Sequence, residues 1–230
     1  MFKSSLTDKA HQQIKEWIVR YHLKPGARLH VTDLAHALRM SPTPVREALS
    51  MLEKEHLIER QPQKGYRVGT LSMQEIEDLY DLRIALEVLA VRQAAKRMSA
   101  VARKRLSAIL SEFGRFLKTD RTQRILKRGQ DFHVVILEAS GNRSLAEIGR
   151  AILDRIWVIQ NINLLTTDHL SEAHPQHLQI LEALERADAE RAAALMEKHL
   201  TQAKEFVLSR LKNGDDILSH MMQASPLERK

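Results

Sequence analysis

The stretch "MSPTPVREALSMLEKEHLI", Met40 to Ile58, sets two prolines one residue apart directly before a run of helix formers. Proline has no backbone N–H and a fixed φ, so it is tolerated only in the first turn of a helix. A helix therefore starts here. Either Thr43 caps it with Pro44 at the first helical position, or Ser41 caps it with Pro42 there. Val45, Leu49 and Leu52 then share one face with Ala48 behind them, while Arg46 and Ser50 fall elsewhere. Taken alone this is an ordinary capped surface helix. Opposite a DNA duplex it is a rigid terminus presenting small polar groups and one arginine, suited to phosphate and base contacts.

The flanking sequence decides between these readings. On the N-terminal side, residues 7 to 22 carry Ala10, Ile14, Trp17, Ile18 and Tyr21 at helical spacing, and "KPG" at 24 to 26 ends that helix. "LHVTDLAHALRM" then offers Thr32 as the cap of a short helix with Leu34, Ala35 and Leu38. On the C-terminal side, "LIERQPQKGYRV" breaks at Pro62 and Gly65 and resumes with Tyr66 and Val68, as a small hairpin does. Helix, helix, helix, hairpin is the winged-helix order, in which the third helix enters the major groove and the hairpin reaches sideways as a wing.

Composition agrees with an anionic partner. The 230 residues include 36 Lys and Arg against 29 Asp and Glu, a net charge of +7. Residues 1–69 hold twelve basic and seven acidic side chains, and the remainder 24 and 22, so most of the excess lies in the first third. With no cysteine, disulfides and thiolate metal sites are excluded. No apolar run approaches the roughly 18 residues of a membrane span, and a cytoplasmic protein without membrane partners is expected.

After "GTLS", Ser72 and Glu75 form a capping box that opens a helix expected to bury Ile76, Leu79, Leu82, Leu86, Leu89 and Ala90. Further helices are expected at about 100 to 118, 120 to 140, 143 to 165, 171 to 187 and 189 to 212. The expected architecture is mainly α: a winged helix-turn-helix over 5–69, a linker at 70–73, an antiparallel bundle of about six helices over 74–213, and a disordered tail over 214–230.

In order, "LTDKAHQQIKEWIVRYHLKPGARL", "DLAHALRMSPTPVREALSMLEKEHLIERQPQKGYRV", "DLRIALEVLA", "DFHVVILEASGN" and "HLQILEALERADAERAAALMEKHL" resemble GntR-family regulators with an FCD-type ligand domain. The resemblance covers about residues 5 to 212, and six bundle helices are similar to the VanR-type branch. It implies a homodimeric transcription factor, most often a repressor, on a double-stranded DNA operator. The DNA contacts implied are Arg28, Ser41, Thr43, Arg46, Lys64 and Gly65. Many family members carry arginine where this chain has Pro42, which shifts recognition onto Arg46 and the wing; Arg39 is a candidate replacement or a solvated surface charge.

The helical half also holds His133, His169, His174, His177 and His199, and imidazole is a common ligand for Zn²⁺ and related ions. The resemblance implies that His133, His177 and His199 bind a divalent metal, Zn or Ni. The family's fourth ligand, an aspartate four residues before the first histidine, is Gly129 here, and Asp131 points about 200° around the helix from His133. A metal-free polar pocket is the alternative. His174 is expected near the surface. The resemblance implies that Arg83 clamps the carboxylate of a small organic acid effector, and the alternative is a plain pair with Glu87 at i,i+4. Trp157 and Ile156 read as core or dimer packing. Two other functions are compatible with parts of the sequence: a metallohydrolase built on the three histidines, and an architectural DNA-binding protein without a ligand.

Overall fold

The computed structural model describes residues 5–19, 22–62, 64–119, 121–160 and 167–212, which form two compact units divided after residue 71. Tyr21, the end of the helix expected to reach 165, and the tail expected over 214–230 lie outside the described residues.

The first unit contains α1 (Leu6–Val19), β1 (Arg28–Leu29), α2 (Val31–Leu38), α3 (Pro42–Lys54), β2 (Ile58–Gln61) and β3 (Gly65–Val68). Its core joins Ala10, Ile14 and Ile18 of α1 to Val45, Ala48, Leu49 and Leu52 of α3, which is the apolar face that the spacing around the prolines requires. Ser41 is the N-cap and Pro42 the first helical residue, so Thr43 is not the cap. Both prolines fit inside one first turn, whose N–H groups have no intrahelical partners to lose. Ser41 makes no side-chain capping bond.

Two further expectations need correction. Thr32 does not cap α2; the helix starts one residue after His30, whose carbonyl accepts from Leu34 N at 3.1 Å. The wing is also more than a hairpin. β1 pairs with β3 in the order β1-β3-β2, with Arg28 opposite Arg67 and Leu29 opposite Tyr66. A two-residue strand is too short for period-2 alternation to register, and it is held by pairing with residues almost forty positions away.

The second unit is a bundle of α4 (Met73–Arg97), α5 (Ala100–Leu117), α6 (Thr122–Ala139), α7 (Arg143–Gln160), α8 (Thr167–Glu185) and α9 (Ala189–Lys212). The capping box forms as expected: Ser72 Oγ accepts from Glu75 N at 3.2 Å, and Glu75 accepts from Ser72 N at 2.8 Å. The core is built from Ala90, Val91 and Ala94 of α4 with Leu106, Phe132, Ile180, Met196 and Leu200 from its neighbours. A Cβ at Gly149 would lie 2.7 Å from Leu137 Cδ2, so α7 reaches α6 this closely only without a side chain there.

The buried face of α4 differs from the expected leucine stripe. Ile76, Leu79, Tyr80, Arg83, Glu87, Ala90 and Val91 point inward, whereas Leu82 is 54% exposed and Leu89 43% exposed, with Leu86 half-buried. The helix thus carries two apolar faces and buries the one that includes an ion pair. No helix among the described residues is long and apolar enough to cross a membrane.

Candidate functional site

In the first unit the residues implied in DNA contact are all exposed. Ser41, Thr43 and Arg46 share the first turns of α3, and Arg46 forms no ion pair among the described residues. Lys64 and Gly65 sit where the hairpin turns into β3, with Gly65 at φ +81°, a conformation that L residues rarely adopt. Arg28 lies on β1 across from Arg67, whose guanidinium is engaged by Glu59 at 2.7 Å. Arg39 is exposed and closes α2 in the left-handed region at φ 54°.

The second unit holds a cavity of about 60 Å³, lined by Arg83, Gly129, His133, His169, His177 and His199 among others. His133 comes from α6, His177 from α8 and His199 from α9, and all three are buried. One nitrogen from each lies within 4.8 Å of the others. His169 lines the cavity with its ring stacked on Phe206, and His174 lies outside it. The latter is half-buried rather than at the surface, stacked on Phe113 at 5.2 Å and bonded through Nε2 to the Leu110 carbonyl at 3.0 Å. Asp131 is occupied by Lys127 and Arg128.

Hydrogen bonds assign the imidazole protons. Glu87 Oε2 accepts from His133 Nδ1 at 2.5 Å, and Gln176 Oε1 accepts from His199 Nδ1 at 2.6 Å. Both rings therefore carry their lone pair on Nε2. His177 Nε2 donates to His199 Nε2 at 3.1 Å, which leaves His177 Nδ1 buried without a partner. Burial, followed by neighbouring positive charge, pushes His177 and His199 well below the usual imidazole range. His133 is also lowered, with burial outweighing the attraction of Glu87. Neutral rings are the form that ligates metal.

Arg83 realises both of its expected placements: it lines the cavity, and its Nε donates to Glu87 Oε1 at 2.7 Å. Burial works to raise the Glu87 carboxyl, but the His133 ring and the Arg83 guanidinium override it and hold it at about 2. Glu87 and Gln176 are the functional neighbours that sequence reasoning missed. Glu87 was legible only as a partner of Arg83, and nothing in the spacing links Gln176 to His199 22 residues later than His177.

The residues fit a divalent ion. Two nitrogens bound to one ion at about 2.0 to 2.1 Å in tetrahedral or octahedral geometry lie about 3 Å apart, as the His177 and His199 nitrogens do. The two Nδ1 contacts supply the outer carboxylate and amide that orient metal-binding histidines. Among the described residues no uncommitted carboxylate lines the cavity, so a hydrolase would lack its general base.

Comparison with known proteins agrees with this arrangement. Residues 6–68 match the family described as bacterial regulatory proteins, gntR family, and residues 78–202 match the FCD domain. The Nta operon transcriptional regulator of Aminobacter aminovorans is 34% identical, covering 82% of this chain and 90% of its own. The HTH-type transcriptional repressor GlaR of Escherichia coli (strain K12) is 28% identical, covering 83% of this chain and 90% of its own. The solved structure of E. coli McbR/YncC superposes with a TM-score of 0.82 at 23% identity, over 91% of this chain and 100% of that one. With its winged unit and its FCD unit each matched, the chain belongs to the GntR family of bacterial regulatory proteins and is a transcriptional regulator rather than an enzyme.

Proposed function

We propose that this regulator is a dimeric repressor that holds a two-fold symmetric operator through α3 and the wing and releases or tightens it when the helical unit binds a small carboxylic acid together with a divalent ion. The observation that carries this reading is the convergence of three buried, neutral imidazoles and one arginine on a single small cavity. Such a set is costly to bury without a ligand. His133, His177 and His199 would hold the ion, which would supply coordination positions for a carboxylate oxygen, while Arg83 orients the acid. Occupancy would then favour one arrangement of the bundle over another, the free energy of that preference being the regulatory signal.

Operator contact is assigned to Ser41, Thr43 and Arg46 at the start of α3, with Arg28, Lys64 and Gly65 in support. Arg46→Ala should weaken specific binding by about 1 to 3 kcal/mol if it reads a base edge, and Lys64→Ala should lower the slope of log affinity against log salt by about 1. Gel-shift titrations over a range of salt read both effects. Wild-type affinity and wild-type slope in both variants would remove these residues from the interface.

The dimer is assigned to the outward face of α4, where Leu82, Leu86 and Leu89 recur at helical spacing and remain uncovered or half-covered. Leu82→Glu combined with Leu89→Glu should give a monomeric mass in light scattering with unchanged helical content. A variant that stays dimeric would place the interface elsewhere.

A further inference from the structure

The positive charge of the helical unit is gathered at one place. Residues 115–128 hold six basic side chains and one acidic, whereas the rest of residues 70–230 hold 18 basic and 21 acidic. This stretch runs from the end of α5 through the turn into α6. Half of its cations are committed: Arg128 to Glu112 at 2.9 Å and to Asp131 at 2.8 Å, Lys127 to Asp131, and Arg115 to Glu112 at 3.8 Å. Lys118, Arg121 and Arg124 are exposed and form no ion pair among the described residues. Arg124 lies over the half-buried Phe116 ring, 5.5 Å from its centroid. The Phe116 carbonyl in turn accepts from Thr119 N at 3.0 Å and from the Thr119 hydroxyl at 3.2 Å, which fixes the turn. A guanidinium held on a ring keeps its N–H edge for an outside anion. Three like charges on one turn repel each other, and an extended polyanion relieves that repulsion at all three.

Contacts between α4 and α6 fix which end of the bundle carries this turn. Glu87 meets His133, and Arg97 meets the Ser140 carbonyl at 3.5 Å, so the two helices run in the same direction. At the helical rise, Met73 lies about 21 Å before Glu87 and Arg124 about 14 Å before His133. The cationic turn therefore shares the end of the bundle at which α4 begins. The chain arrives there from β3 through residues 69–71, a connection that reaches at most about 14 Å. For a regulator of this family the polyanion within such reach is DNA, with one negative charge per about 1.7 Å of its axis. We infer that the turn between α5 and α6 is a second DNA-contacting surface, on which Lys118, Arg121 and Arg124 hold backbone phosphates beside the base pairs contacted by the winged unit. This goes beyond the operator contacts assigned above, all of which lie in the winged unit. Phosphate contacts of this kind carry no sequence information; they add affinity and salt dependence and fix orientation on the duplex.

The chain has no cysteine, so a single introduced thiol can carry a photocrosslinker. Full-length Arg121→Cys labelled with an azidophenacyl group should crosslink to a random-sequence duplex of about 40 base pairs, roughly twice the span of two half-sites. Arg186→Cys should not, because Arg186 lies in the turn between α8 and α9, at the end of the bundle where Glu190 meets Arg92. Lys118→Gln, Arg121→Gln and Arg124→Gln together should weaken binding to the same duplex about tenfold or more at about 0.1 M salt, and lower the slope of log affinity against log salt by about 2 to 3. Lys104→Gln, Arg186→Gln and Arg191→Gln together remove the same charge from exposed positions at the other end, and should change affinity less than about twofold. Circular dichroism should show both triple variants folded like wild type, since every substituted side chain is exposed. Crosslinking from Arg121→Cys no stronger than from Arg186→Cys, or equal losses in the two triple variants, would overturn the contact. Wild-type affinity and slope in the Lys118, Arg121 and Arg124 variant would overturn it too, while leaving the winged interface standing.

Discussion

Glu87→Ala is expected to destabilise the helical unit by about 3 to 5 kcal/mol, because it strands the Arg83 guanidinium in the interior. The pair is almost wholly buried, so solvent cannot take over the role of the lost carboxylate. The same change releases His133 Nδ1 from its acceptor, and loss of an outer-shell partner of this kind typically weakens metal binding about 10- to 100-fold. The two consequences can be separated. Arg83→Met combined with Glu87→Leu removes both charges and fills the space, and should recover most of the stability while leaving His133 without its acceptor. Urea unfolding compares the stabilities, and Co²⁺ titration of the folded variants compares the sites. If Glu87→Ala unfolds like wild type, the buried pair is not holding α4 in its inward orientation.

Leu52→Ala is expected to cost about 2 to 5 kcal/mol, since Leu52 is fully buried where α3 meets the rest of the winged unit. A unit of roughly 65 residues has a total stability of only about 3 to 10 kcal/mol at ordinary values per residue. The substitution should therefore remove about half of that stability and lower operator binding at 37 °C, although Leu52 faces away from the contact residues of α3. Its neighbour Met51 is 37% exposed, and Met51→Ala should stay within about 0.5 kcal/mol of wild type. Circular dichroism melts together with gel shifts read both variants. Indistinguishable melts would show that the face of α3 built on Val45, Leu49 and Leu52 does not organise the unit.

The parts of this fold that were legible in the sequence are those whose determinants lie within a few residues of each other. Two prolines in one turn force a helix start before Val45 whatever surrounds it. Ser72 and Glu75 satisfy each other's backbone within a single turn. The order of helices and hairpin followed from apolar spacing and from the breakers between them. Even here the choice between Ser41 and Thr43 as the cap stayed open, because local chemistry allows both.

The tertiary structure decided what depends on partners far away along the chain. α4 carries leucines at 82, 86 and 89 on one side and Ile76, Leu79 and Ala90 on the other, and periodicity cannot say which side meets α6 and α9. The buried side is the one that carries Arg83 and Glu87, whose hydrogen bonding is completed by His133, 46 residues beyond Glu87. β1 exists only because β3 supplies its ladder, and the His199 proton is placed only because Gln176 stands opposite it. By itself, then, the sequence determined the helices, the Ser72–Glu75 capping box and the winged order, since those are short-range backbone and packing requirements. Which faces turn inward, and how three imidazoles come to share one cavity, was left to long-range contacts, whose free energy is realised only once the helices have assembled.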